Sequence, residues 1–176
     1  MPQPDLGAAY ANLEKLAYAA EGGLAKSKSV IYAFVDANCP YCHLMWQAVQ
    51  PHQAVSLHVR WIPVAVLGPT SMPKAIAILA ARDKLAAFRQ MEENHGKPWT
   101  AAANADQASQ PAIVEAVVMN GKAMDAFGIG GTSGIVWRAK QGRIRSRSCM
   151  PRLADFPSIT GLPEQANTNP ALDKFR

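Results

Sequence analysis

The chain has 176 residues, 49% hydrophobic and 18% charged with a net charge of +5, enough for one domain with a sizeable core. No apolar run approaches the roughly 18–20 residues that span a bilayer, and the N-terminus lacks the basic and apolar regions of a signal peptide, so a cytosolic protein or a mature fragment is expected. Three cysteines are too few to staple a small disulfide scaffold, and one Cys-x-x-Cys with a distant Cys149 lacks the paired spacing of a structural zinc site.

Asp5 precedes Leu6, Tyr10, Leu13, Leu16 and Ala17 at helical spacing, and Gly22-Gly23 ends the run, which predicts a capped helix over Leu6–Ala20. "SVIYAFVDA" is rich in β-branched and aromatic residues and predicts a buried strand. Residues from about Pro40 to His52 read as a helix with Leu44 and Val49 inward, and "SLHVRWIPVAV" as a second strand. Three helical stretches follow in "KAIAILAAR", "KLAAFRQMEENHG" and "PAIVEAVVMNGKAMDAFG". "SGIVWRAK" and "GRIRSRS" predict a hairpin turning at Gln141-Gly142. "PRLADFPSITG" suggests a closing helix interrupted at Pro157, and residues 164–176 read as a loose tail. The order is a βαβ half joined through helices to an antiparallel ββα half, an α/β chain with no repeats and no flexible linker. The basic run holding Arg138, Lys140, Arg143, Arg145, Arg147 and Arg152 reads first as a solvated face that discourages strand-edge association. An acidic partner surface is the alternative. Nucleic acid is disfavoured, because aromatic interleaving and a helical reader are missing.

The stretch "DANCPYCHLMW" carries the chemistry. With Cys39 as N-cap, Pro40 falls at the first helical position, where its missing N–H costs nothing. Cys42 is then one turn along, on the same face, within reach of a disulfide. The Cys39 sulfur meets unpaired N–H groups and the positive end of the helix dipole, which stabilises a thiolate. Cys39 is therefore expected as the exposed attacking thiol and Cys42 as the shielded resolving one. Half of a metal site shared with a second chain and a fortuitous buried pair are the competing readings, and the coherent strand–Cys-Pro-Tyr-Cys–helix order favours the redox dithiol. His43 either tunes the charge of the site or faces solvent.

"YAFVDANCPYCHLMW", "ARDKLAAFRQMEENHGK" and "AMDAFGIGGTSGIVW", in that order, resemble the thioredoxin-like catalytic domain of the periplasmic disulfide isomerase family of DsbC and especially DsbG, over about Leu13 to Pro163. The resemblance implies a thioredoxin-like fold with a helical insertion at about 70–127, in a catalytic domain at 24–163. A linker-like helix at 1–23 would precede it and a C-terminal tail at 164–176 would follow. It implies a periplasmic enzyme without metal or organic cofactor. Its partners would be proteins carrying disulfides or oxidised cysteines and a membrane or soluble thiol reductant. Cys39 and Cys42 would be catalytic, and Tyr41, Thr132 and Ser133 would contact substrate. Pro40 and His43 would support the motif.

The chain departs from this family in several places. The N-terminal dimerisation domain of the complete family chain has no counterpart here, so a homodimer is expected only if such a segment belongs to the protein. Ser133 stands at the family's cis-proline, so a trans or strained Thr132–Ser133 bond is expected. Ala33 stands where thioredoxins place a buried acceptor aspartate, and Asp36 is expected to be solvated. Cys149 stands where the family tends to have glycine; it reads as a buried or inert thiol, with a regulatory disulfide or a place in the relay as alternatives. The expected function is thiol–disulfide exchange on proteins. The rivals are a net disulfide-donating oxidase, a glutaredoxin-like activity, and a chaperone-like binding module impaired by Ser133.

Overall fold

The computed structural model describes residues 6–23, 27 and 29–176. Asp5, the expected cap of the first helix, lies outside them. In chain order the elements are α1 (Leu6–Leu13), β1 (Ala19–Glu21), β2 (Ser29–Val35), α2 (Pro40–Gln53), β3 (Leu57–Pro63), α3 (Ser71–Ala80), α4 (Lys84–Glu93) and α5 (Thr100–Ala103). They continue with α6 (Pro111–Ala126), β4 (Gly134–Arg138), β5 (Ile144–Ser148) and α7 (Phe156–Thr160).

The five strands form one sheet in the order β1-β3-β2-β4-β5. β2 runs parallel to β3 and antiparallel to β4, while β1 and β5 close the edges in antiparallel pairing. The near-continuous apolar run of β2 follows from coverage on both faces. Ile31, Ala33 and Val35 point with Val59, Trp61 and Ile135 toward Met45, Ala48 and Val49 of α2 and Phe88 of α4. Tyr32 and Phe34 point with Ile62 and Val136 to the opposite side, toward Leu13 of α1 and Met124 of α6. The period-2 alternation of the strands thus becomes two packed layers. Helices α3 to α6 form the expected insertion between the halves. It is fastened to the sheet by Phe88, whose ring stacks on Trp61 at 5.0 Å, and its helices α3 and α6 are held together by Ala75, Leu79 and Val117.

Three expectations need correction. The first helix ends at Leu13, and residues 19–21 form an edge strand on β3 instead of its last turns. The burial of Glu21 accounts for this: its carboxylate accepts hydrogen bonds from Trp61 Nε1, Gln53 Nε2 and Arg89 Nε, partners that a helical register would not reach. Gly22 then leaves the strand at φ 68, where a Cβ would meet the Leu57 carbonyl at 2.6 Å. Pro157 does not interrupt the closing helix, because it sits in the first turn of α7, where its lack of an N–H is harmless. Residues 164–176 are not loose. A 3-10 turn at Pro170–Phe175, capped by Asn169, seats Leu172 at 0% exposure in the core beside α2, and the Asn167 and Asn169 amides donate to Gln47 of that helix.

Candidate active site

β2 delivers the chain to a short loop whose shape is set by Asp36. Rather than being solvated, Asp36 is buried and accepts hydrogen bonds from the backbone N–H groups of Asn38, Val66 and Leu67 and from the Ser71 hydroxyl, at 2.8–3.1 Å. The loops after β2 and β3 and the start of α3 each bring an otherwise unpaired donor to one carboxylate, which is what draws it inside. Asn38 adds bonds to Thr70 and Ser71 and accepts from Lys74 Nζ. The loop thus places Cys39 at the mouth of α2.

Cys39 is the N-cap, with φ −87° and ψ 115°, and its sulfur accepts the Cys42 N–H at 3.3 Å. Pro40 is exposed at the first helical position. Both cysteines are free thiols and both are buried, Cys39 at 3% exposure and Cys42 at 1%. The expectation of an exposed attacking sulfur is thus corrected. Capping turns the sulfur back over the first helical turn, toward the Cys42 N–H, instead of outward.

The two thiols differ sharply. Cys39 is lowered to about 6, chiefly because the Cys42 thiol donates a hydrogen bond to its thiolate; burial opposes this, and the Thr132 hydroxyl and the N–H groups of Cys42 and Tyr41 reinforce it. Cys42 is pushed far up, first by burial and then by the bond to, and charge of, Cys39. At neutral pH one thiolate and one thiol share a proton-donating contact.

The Thr132–Ser133 loop lies beside this pair, because Gly134 pairs with Phe34 two residues before Asp36. Its peptide bond is cis, not trans. Ser133 is fully buried, and its hydroxyl has no hydrogen-bond partner among the described residues. A Cβ at the next position, Gly134, would stand 2.3 Å from Ile129 Cγ2, so any larger residue there must push the Ile129 side chain aside. Tyr41 is 46% exposed on the rim, but its ring meets Phe175 edge-on at 6.4 Å and carries Lys174 Nζ 5.1 Å from its centre. The C-terminal segment therefore shares the rim.

His43 turns away from solvent. Its Nδ1 is 2.8 Å from the buried Glu92 carboxylate, its Nε2 is 3.1 Å from Gln47, and its ring stacks on His95 at 4.6 Å. Burial raises the Glu92 pKa, and the bond to His43 opposes that rise. Glu92 and His95 went unnoticed in the sequence as partners of His43; the three-residue spacing of Glu92 and His95 in "EENH" at the end of α4 was the available signal. Cys149 is exposed, with φ 72° in the left-handed region that favours glycine. It follows Ser148, the partner of Gly134, and so lies at the cis loop's end of the sheet instead of in the core. Of the basic run, Arg147 pairs with Asp155 at 2.9 Å, Arg138 covers the Tyr10 ring, Lys140 and Arg143 are exposed in the turn before β5, and Arg145 is exposed on β5.

No protein-family model matches the chain. It is 28% identical over 151 residues to the thiol:disulfide interchange protein DsbG of Pseudomonas aeruginosa, covering 85% of this chain and 57% of that protein. To DsbG of Escherichia coli it is 28% identical over 142 residues, covering 80% and 51%. The chain thus spans about half the length of the curated relatives it matches. Among solved structures, the catalytic domain of Proteus mirabilis ScsC superposes with a TM-score of 0.67 at 17% identity, covering 87% of this chain and 94% of that one. A periplasmic thioredoxin-like protein of Salmonella enterica superposes with 0.69 at 16%, covering 86% and 93%. The fold is α/β and thioredoxin-like with a helical insertion, and the chain resembles in sequence the catalytic domain of the DsbC and DsbG disulfide isomerases.

Proposed function

We propose that the chain is a thiol–disulfide oxidoreductase and isomerase acting on protein disulfides through Cys39 and Cys42. The observation that carries this reading is the unequal pair: a capped Cys39 lowered to about 6 beside a buried Cys42 held protonated. With a pKa near 6, about nine-tenths of Cys39 is thiolate at pH 7, close to the balance of ionisation and nucleophilicity that favours attack.

The Cys39 thiolate attacks one sulfur of a substrate disulfide; a bond forms between Cys39 and that sulfur, and the other sulfur leaves as a thiolate. In isomerisation a second substrate thiolate attacks the mixed disulfide and returns the Cys39 thiolate, with no net change of redox state. In reduction Cys42 attacks Cys39 instead, its proton passes to the departing substrate sulfur, and the protein is left with a Cys39–Cys42 disulfide. Asp36 is not the acceptor for that proton, since four donors already hold its carboxylate, and Ala33 supplies none. Thr132 biases the sulfurs toward ionisation, and the edge of its loop, with Ser133 buried beneath it, is what an extended substrate would meet. Tyr41 borders the same surface, and Pro40 and His43 hold the helix start.

Likeness to DsbG supports a periplasmic setting with a thiol reductant restoring the dithiol. The same lowered Cys39 also supports net oxidation, because stabilising the reduced form raises the reduction potential; the measured potential separates donor from isomerase. Trapping tests the shared step. Cys42→Ala incubated with a scrambled disulfide protein should accumulate a dithiothreitol-sensitive adduct on non-reducing gels, and Cys39→Ala should not. Adduct formation through Cys149 in the Cys39→Ala variant would contradict the assignment.

A further inference from the structure

His43 leaves the first turn of α2 and meets the C-terminal end of α4 at the seam between the redox helix and the helical insertion. One ligand atom from each of His43, Glu92 and His95 lies within 4.8 Å of the other two. Glu92 is buried to 1% exposure, and the His95 backbone N–H bonds the Glu92 backbone carbonyl at 3.1 Å, which keeps the two residues in one tight turn. His95 Nδ1 is shielded from solvent and makes no hydrogen bond of good geometry among the described residues, although its ring faces the Ala37 backbone. Gln47 holds Nε2 of His43 at 3.1 Å, leaving Nδ1 as the nitrogen that faces Glu92.

We propose that His43, Glu92 and His95 form a binding site for a divalent cation of the zinc class. Two imidazoles and a carboxylate are a donor set that zinc accepts, with water completing the tetrahedron. Bonds of about 2.0–2.1 Å place tetrahedral ligands about 3.3 Å apart, so the 2.8 Å His43–Glu92 contact must open by about half an ångström. The two rings, stacked at 4.6 Å and within 8° of parallel, must tilt so that their lone pairs converge. Both are side-chain rotations. Gln47 then acts on the ion indirectly, by fixing the His43 ring. A bound ion would tie α2 to the insertion and place positive charge one residue from Cys42.

The test uses the full chain with Cys39, Cys42 and Cys149 all changed to Ser, which removes every thiol ligand, titrated with zinc chloride by calorimetry. One ion should bind per chain, with the His43 and His95 ring nitrogens shifting in 15N spectra. His95→Ala and Glu92→Gln, each checked for fold by circular dichroism, should weaken binding by more than about 100-fold, beyond the loss typical of indirect contacts. Absence of one-to-one binding in the triple-serine chain, or binding that leaves both imidazole signals unmoved, would overturn the site.

Discussion

The lowered Cys39 makes the reduced protein's stability depend on pH in a way that the oxidised protein's does not. The folded value is about 6 and an ordinary thiol ionises near 8.5. The folded pKa is the lower one, so the stabilisation is full above the ordinary value and is lost as pH falls through 6. At pH 7 the folded thiol is mostly ionised while the unfolded one is mostly neutral, which corresponds to about 1.4 kcal/mol; at pH 5 almost nothing remains. Cys42 acts oppositely, since its raised pKa costs stability once pH exceeds the ordinary thiol value, which sets the useful window at about pH 5 to 8. Urea unfolding of the reduced and the disulfide-closed protein, at pH 5 and pH 7, isolates the effect, because other titrating groups are common to both. The reduced form should gain about 1.4 kcal/mol relative to the oxidised form between those pH values, equivalent to about 30 mV of reduction potential. An unchanging difference would mean that Cys39 keeps an ordinary thiol pKa in the folded protein.

Thr132→Val removes a hydroxyl that favours the Cys39 thiolate and should raise the midpoint of Cys39 alkylation, with the fold unchanged by circular dichroism. Asp36→Ala strands the Val66 and Leu67 N–H groups and the Ser71 hydroxyl and should cost about 2–4 kcal/mol in urea unfolding. Gly134→Ala forces a Cβ against Ile129 and should destabilise by about 1–3 kcal/mol, with partial rescue by Ile129→Ala. Leu172→Ala should cost about 2–5 kcal/mol, whereas a detached C-terminal segment would make it neutral.

Sequence made the capped dithiol legible because its determinants are local: a strand, a cap, Pro40 at the first helical position and a thiol one turn on. The same locality explains the hairpin at Gln141-Gly142, where Gln141 takes φ 69° and Gly142 φ 77°. What was missed depends on distant partners. Asp36 is drawn inside by donors thirty and more residues away, and Glu21 becomes a strand residue only because Trp61, Gln53 and Arg89 converge on it. His43 gains meaning from Glu92, 49 positions further along. Leu172 reads as one apolar residue in a polar tail, and only the groove beside α2 gives it a place. Cys149 illustrates the reverse case: its position after a strand was visible, while its left-handed backbone and exposure were not.

The proposed chemistry rests on a Cys39 sulfur that its place at the mouth of α2 ionises at neutral pH. The most direct measurement is the rate of iodoacetamide modification of Cys39 in the Cys149→Ser protein, followed by mass spectrometry from pH 4 to 10. A single midpoint close to 6 is expected for Cys39, with no comparable reaction at Cys42. A Cys39 midpoint near 8.5, the value of an ordinary thiol, would contradict it.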